Sequence, residues 1–580
     1  MKLVKCLMVL AVALCVIPSM SKAQTVQAAG GGSSALFLEL GQGTASGAAT
    51  GTPCTWTSGK TANIVARDTR SAQGSGPGNT DEQGNIWVTW SAGSTGSCGS
   101  PSGTGINIYS YMQLDSVVGN KCYFMVDSGG VPGCIQIFNV AASAPGADLL
   151  PGYTDTNMPS NIQGALNNAR FTYAGTDIRP EDAQFATNRM FANCGSIIYR
   201  NPYDLEYRLT YGLGYANSAT PNVGLQVNSA FTSSFFNVIN YNFSGPDPFN
   251  SAYNSPQFAV TTVGAQPIIV AVSPATDTAG IAGASDISTY TLAMFYDGVL
   301  ARSTDLAGVT NTNPVITLVR EPLSGTYNTF EFSVPNSSQF HKTQDDFFCS
   351  GSAVYSQTMD IASSTGGVAG AVRKRVIGTS QMTTELQSPA GDSLGYFFWS
   401  AANANGLTNV KYLTVNGVDP ILDSYGACLT CGPGNTPETF TPGVLPQSGG
   451  SGGTPPLGAV TFKNLNAGDY PAWSALRLIG RPGSVPVANI ISGLAGINPT
   501  QHDYISPDNL KVWHAHFPIY GIVGAQADGP TLNPATPGDL CSGGAAEVGG
   551  DAGGANLPKQ VNADYCHDYG NPTGLINQVN

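Results

Sequence analysis

An arginine followed four residues later by Ser-Gly-Thr is a spacing that can hold an anion. In this chain it is Arg320, then Ser324, Gly325 and Thr326. A strand-like run, Val315 to Val319, delivers the arginine, and a helix-like run follows the threonine. A helix start carries unpaired N–H donors and the positive end of the helix dipole. Arginine adds a planar fork that matches two oxygens of a tetrahedral oxyanion.

Two other stretches repeat the pattern of apolar run or small-residue turn, then Gly/Ser/Thr/Asp, then helix start. One places Ser33 and Ser34 before Ala35. The other places Gly175, Thr176 and Asp177 before Pro180, a preferred first helical residue. Each alone also reads as a plain helix cap, and Asp177 reads either as the cap of a Pro180 helix or as a ligand contact. Hydrolytic chemistry finds less support. His514 and His516 could share one strand face, but no third metal ligand is evident. No Gly-x-Ser-x-Gly elbow or His-Glu-x-x-His occurs, and Glu181/Asp182 read as an exposed helix turn. A secreted surface or adhesion-like protein is the other reading kept open, because residues 44–165 lean to β-structure and carry cysteines.

These turns need elements to hold them, in a chain of 580 residues with 71 glycines and 38 prolines. That composition implies short elements and long loops. Lys2 and Lys5, the apolar run Leu7 to Ile17, and Ser21-Lys22-Ala23 read as a signal peptide cleaved after Ala23. No later stretch has the uninterrupted apolar length of a membrane span, so an exported protein without membrane insertion is expected, periplasmic or secreted. The net charge of −13 grows more negative once three lysines leave with residues 1–23. That argues against nucleic acid and anionic membrane as partners. Ten of the 12 cysteines remain, an even number that suits disulfides in an oxidising compartment. Expected pairs are Cys54–Cys98, Cys122–Cys134 and Cys541–Cys566, with Cys428–Cys431 a small structural disulfide.

Strands are expected at 85–91, 106–114 and 121–126, and the apolar run Ile268 to Val272 reads as a fully buried strand. Helices are expected over Ala35–Leu40, Pro180–Phe191 and Tyr290–Ala301. Residues 392–403 read as a helix start and 410–420 as a strand. Residues 446–458 read as a flexible loop, and the chain after about 525 as a Gly-rich appendage.

Taken in order, these landmarks resemble the type II periplasmic binding proteins, specifically the phosphate-binding proteins of ABC transporters. The arginine-to-Ser-Gly-Thr offset after an "ITLV" strand is the most specific match. "TLAMFYDGVLA", "SLGYFFWSAAN", "VKYLTVNG" and "GDYPAWSALRLI" follow in the family's order. The resemblance covers roughly 30–43 and 165–480 in patches. The first turn departs from it, reading Ser-Ser-Ala-Leu. For the family's Ser-Gly-rich stretch between the first two turns, Asp127 to Gly130 is a candidate. The resemblance implies an α/β fold of two lobes, with a β-rich, disulfide-bearing insertion over about 44–165. Lobe one would take 24–265 and 405–525, lobe two 266–404, with 526–580 appended. Ser34, Thr176 and Asp177 would face Arg320, Ser324, Gly325 and Thr326 across a cleft holding inorganic phosphate or a related oxyanion, with an ABC transporter permease as partner. No cofactor, metal or catalytic group is implied. Asp177 would accept a hydrogen bond from a protonated oxyanion and reject sulfate, which at neutral pH has no proton to give.

Overall fold

The computed structural model describes residues 24–48, 53–58, 64–68, 80–124, 134–138, 150, 152–178, 258–274, 280–320, 324–334, 358–360, 368–376, 378–495, 497, 503–506 and 509. The class is α/β, as expected. Eleven strands form the path of one mixed sheet. They are β1 (Thr25–Ser33), β2 (Pro53–Ser58), β3 (Ile86–Ser91), β4 (Asn107–Leu114), β5 (Tyr173–Thr176), β6 (Ala259–Ser273), β7 (Val315–Arg320), β8 (Thr358–Asp360), β9 (Val372–Val376), β10 (Asp392–Phe398) and β11 (Trp473–Gly480). Their spatial order is β8-β9-β7-β10-β6-β11-β5-β1-β4-β3-β2.

The sheet has two halves. In one, β1 runs parallel to β4 and β5. In the other, β7 runs parallel to β9 and β10. Strand β6 joins them. Its residues Ala259 to Pro267 pair antiparallel with β11, and Ile268 to Ser273 pair antiparallel with β10. A strand with neighbours on both edges and both faces covered must be apolar throughout. Ile268 to Val272 meets this, with every residue fully buried.

Five helices bear on the site or on the sequence expectations: α1 (Phe37–Gly43, entered by a 3-10 turn over Ser34–Leu36), α2 (Ser116–Phe124), α3 (Thr289–Tyr296), α4 (Gly325–Ser333) and α5 (Gly378–Gln387). Among the described residues no helix is long and apolar enough to cross a membrane.

The N-terminal half carries the expected β-rich insertion. Residues Ile64–Asp68, Thr80–Gln83 and Cys134–Phe138 make a separate antiparallel sheet. Disulfides Cys54–Cys98 and Cys122–Cys134 staple this region, and Cys428–Cys431 closes a short loop elsewhere. Loop-closure entropy makes the first two worth about 4 and about 3 kcal/mol, so the insertion draws much of its stability from oxidising conditions. Cys541 and Cys566 lie outside the described residues, as do the signal segment, Pro180–Phe191, Asp127–Gly130, His514, His516 and the tail after 525.

Three local expectations are corrected. Residues 121–126 were expected as a strand, but Ser116–Phe124 is helical. Val117, Val118, Cys122, Tyr123 and Phe124 are all buried, so the segment shows no one-sided period to separate helix from strand. Residues 392–403 were expected as a helix start, but Asp392–Phe398 is a strand buried at every position. Aromatic and aliphatic residues covered on both faces suit a central strand. The strand expected over 410–420 is reduced to Lys411–Tyr412 and Thr414–Val415. Lys411–Tyr412 pairs with the second-half portion of β6. Leu407, Val410, Tyr412, Ile421, Leu422 and Phe462 share a core with Leu318, Val376 and Phe397. This segment therefore packs on the second half, whereas β11 pairs with β5 of the first.

Two carboxyl groups are buried away from bases. Both Glu39 oxygens on α1 lack a hydrogen-bond partner among the described residues, and burial raises the group well above its usual range. Asp419 accepts from the N–H groups of Ile421 (2.8 Å) and Leu422 (2.6 Å) and from the Tyr412 hydroxyl (2.8 Å). Burial still pushes it from 3.8 to about 6. A raised carboxyl binds its proton more tightly folded than unfolded, so stability is full at low pH and is lost as pH rises. Denaturant unfolding should therefore show stability falling as pH rises from 3.8 through about 6, by up to about 3 kcal/mol from Asp419. Asp419→Asn should make the fall across that window shallower, and Glu39→Gln should make the fall from 4.5 upward shallower. Slopes identical to wild type in both variants would show that neither group titrates this way.

Candidate functional site

The carboxyl ends of parallel strands are where an open α/β sheet leaves a crevice, because the chain there turns away on both sides. Five such ends meet here. β1 ends at Ser33, β4 at Leu114 just before Ser116, β5 at Thr176 just before Asp177, β7 at Arg320, and β9 at Val376 just before Thr379. The first three belong to one half and the last two to the other.

Asp177 lies at the centre and is only 2% exposed. The Ser116 hydroxyl donates to its Oδ1, and the Thr326 hydroxyl on α4 reaches its Oδ2 at 3.5 Å. The Asp177 N–H donates in turn to Ser116 Oγ (3.4 Å). Its main-chain carbonyl accepts from Arg477 Nη1 on β11 (3.0 Å) and from the Thr329 hydroxyl on α4 (3.3 Å). Burial raises the carboxyl above its usual range. Hydrogen bonds from Ser116, its own backbone and Ser33, and the nearby Arg320 charge, pull it back down. The group thus sits between two tendencies, suited to sharing a proton with a partner rather than holding a bare charge.

Arg320 is 1% exposed, and its Nη1 donates to Thr379 Oγ1 (3.0 Å) at the start of α5. Ser324 caps α4, accepting from the Tyr327 N–H (3.3 Å). The ordinary cap role therefore holds for Ser324. The first-turn N–H groups of Gly325 and Thr326 are those a helix leaves for an outside acceptor.

Glycine is required at two approaches. A methyl group on Gly325 would run into Asp177 Oδ1 and Ser116 Oγ, so only glycine lets α4 close onto the opposite half. On α2, a Cβ at Gly119 would stand 2.6 Å from Gly32 Cα and 2.7 Å from Gly31 O. This lets α2 lie against β1 and carry Ser116 to Asp177. Tyr111 holds the first turn from below. Its hydroxyl donates to the Ser33 carbonyl (2.7 Å), and its ring is stacked between Trp87 and Tyr173.

Of the residues singled out from sequence, the structure gathers Asp177, Arg320, Ser324, Gly325 and Thr326. Thr176 is adjacent, but its hydroxyl is engaged locally, donating to Ile178 O (2.6 Å) and accepting from Asn120 Nδ2 (3.1 Å). Ser34 opens the 3-10 turn half-buried, and it is its neighbour Ser33, accepting from the Ala35 N–H (3.2 Å), whose hydroxyl lowers the Asp177 carboxyl. Sequence reasoning passed over Ser33 for Ser34 and missed Ser116, Thr379, Thr329 and Arg477. Ser116 and Thr379 follow the same strand–turn–helix order as the others. Reading 121–126 as a strand hid Ser116.

No family model matches the chain, and no curated protein matches it. Among solved structures it is similar to a phosphate-binding protein from Stenotrophomonas maltophilia, at 14% identity over 71% of this chain and 86% of the other, with a TM-score of 0.30. It is similar to an ABC-type phosphate transport receptor from Vibrio cholerae, at 13% identity over 44% and 76%, with a TM-score of 0.25. It is also similar to PstS from Borrelia burgdorferi, at 13% identity over 43% and 72%, with a TM-score of 0.25. These are proteins of the family that the sequence resembles. Likeness at this level does not transfer a ligand, so function rests on this chain's own residues.

Gly325→Ala should lower unfolding stability by about 1–3 kcal/mol, the usual cost of forcing a methyl into a packed site. Gly458→Ala, where the added methyl meets open space, should be near neutral. Equal behaviour of the two variants in chemical denaturation would mean that α4 does not need the glycine.

Proposed function

We propose that this chain is a non-enzymatic solute-binding protein that captures phosphate or a similar oxyanion between the two halves of its sheet. The observation that carries this reading is that buried Asp177 and buried Arg320 stand at converging strand ends, near enough for the arginine charge to act on the carboxyl, with the Ser116 and Thr326 hydroxyls on Asp177 and the Thr379 hydroxyl on Arg320. Arginine and helix-start N–H groups suit an anion's oxygens. A carboxyl in the same place repels an anion unless a proton lies between them. Monohydrogen phosphate supplies that proton, and sulfate at neutral pH does not.

Donors come from both halves, so a ligand here gains contacts that only a closed arrangement provides, and binding favours closure. The signal-like segment and the disulfides support an exported, periplasmic or secreted setting. Delivery to an ABC transporter permease is the role that follows for such a protein.

Calorimetric titration of the purified protein tests the reading. Phosphate should bind at micromolar or tighter affinity, and sulfate about 100-fold or more weakly. Arg320→Ala should weaken phosphate about 100-fold or more, the usual cost of removing one buried charged partner. Asp177→Asn should narrow the gap between phosphate and sulfate, because the amide can donate to an unprotonated oxygen. No heat with either anion would end the oxyanion reading.

A further inference from the structure

A second buried polar cluster lies between α1 and the joining strand β6. Glu39 on α1 is fully buried, and neither of its oxygens has a hydrogen-bond partner among the described residues. It stands against Gly264 of β6. A Cβ on that glycine would lie 2.5 Å from Glu39 Oε1 and 2.5 Å from the Ile505 carbonyl oxygen, so the two oxygens share one small space. Gln266 is two residues on along β6, on the same face as that Cβ. Ser474 of β11 is its cross-strand partner and shares the face. Gln266 Oε1 and Ser474 Oγ are buried and likewise lack a partner among the described residues. The segment after the last described helix ties these elements together. Gln266 Nε2 donates to the Asp503 carbonyl (3.0 Å), Ile505 pairs with Ala265, and the Tyr504 hydroxyl donates to Gln42 Oε1 on α1 (3.3 Å).

Buried polar groups are ordinarily met, and a bare buried carboxylate is costly. Burial is the one influence that moves the Glu39 carboxyl, and no basic group acts on it. The titratable groups on the neighbouring elements are acids. Tyr111 of β4 and Tyr504 are held well above their usual range by burial and stay neutral. Asp503 turns its Oδ1 to the Ala401 N–H. Oxygen ligands without nitrogen or sulfur suit a hard cation. One carboxylate balances one positive charge, whereas a divalent ion would leave a buried excess. Gln42 Nε2, also without a partner among the described residues, is a donor for the carboxylate oxygen turned away from such an ion.

We propose that Glu39, Gln266, Ser474 and the Ile505 carbonyl form a site for a monovalent alkali cation, sodium or potassium, that fastens α1 to β6 and β11. The site stands apart from Asp177 and does not depend on the oxyanion reading. Ion and proton compete for the same carboxylate. Without the ion, Glu39 keeps its proton to higher pH, so the fall in stability described above for Glu39 is the ion-free behaviour. With the ion, the carboxylate is balanced, and the stabilisation grows as pH rises.

The test is the thermal midpoint of the purified protein in phosphate-free buffer, titrated with sodium, potassium, calcium or choline chloride at matched ionic strength. It is run at about pH 8 and at pH 4.5. At the higher pH, sodium or potassium should raise the midpoint above that in choline by about 2–4 °C, and the rise should saturate. At the lower pH, where the proton holds the carboxyl, the rise should vanish. Glu39→Gln should abolish the rise at the higher pH. Ser474→Ala should raise the concentration that gives half of it by about 5-fold. Equal midpoints in all four salts overturn the proposal, as does a rise that survives Glu39→Gln or one confined to calcium. If Glu39→Gln does not fold, Ser474→Ala decides: a shifted half-rise supports the site, and an unshifted one overturns it.

Discussion

A carboxyl group taken almost wholly out of water must have its oxygens met, and the organisation around Asp177 follows from that need. Ser116 reaches it only because α2 can lie on β1, which Gly119, packed against Gly32 Cα and the Gly31 carbonyl, allows. Thr326 reaches it only because position 325 has no side chain. Its carbonyl is held from β11 by Arg477 and from α4 by Thr329. Four segments far apart in sequence thus depend on one buried group, and each supplies a donor or room for one.

The same residue couples the halves. β6 and β11 are shared structure, continuous through the sheet, so the halves are joined at their backs by backbone hydrogen bonds. At the front they meet through side chains: Thr326 and Thr329 of α4 on Asp177. Backbone ladders are costly to break, whereas hydroxyl contacts of 3.3 and 3.5 Å exchange readily for contacts to another acceptor. An arrangement firm at the strands and exchangeable at the turns is what a site that opens and closes requires. The disulfide-stapled insertion lies on the N-terminal half, and its three-stranded sheet stands apart from the main one.

Much of this was legible where local chemistry and tertiary need agreed. The strands at 86–91, 107–114 and 315–320 carry patterns that serve no other element, and the helix at 289–296 begins at a serine cap. The failures share a cause. Within 116–124 and 392–398 the apolar residues are buried on more than one side, and a segment covered that way has no clear period to read. Ser116 was lost with the helix it starts. Ser33 was passed over for Ser34, because adjacent serines differ only in which way the backbone turns them.

By itself, then, the sequence determined the strand-leaning, cysteine-bearing character of the N-terminal region, the Arg320 strand and the Ser-Gly-Thr helix start, while the α/β class followed from the family resemblance. Each is written in residue types over a few neighbouring positions, and capping, turn and strand preferences act at that range. Only the tertiary structure decided which hydroxyls surround Asp177, that Gly325 is a matter of clearance rather than flexibility, and that a second arginine arrives from residue 477. Those are contacts between segments up to 300 positions apart. They depend on strand order, which no local pattern encodes.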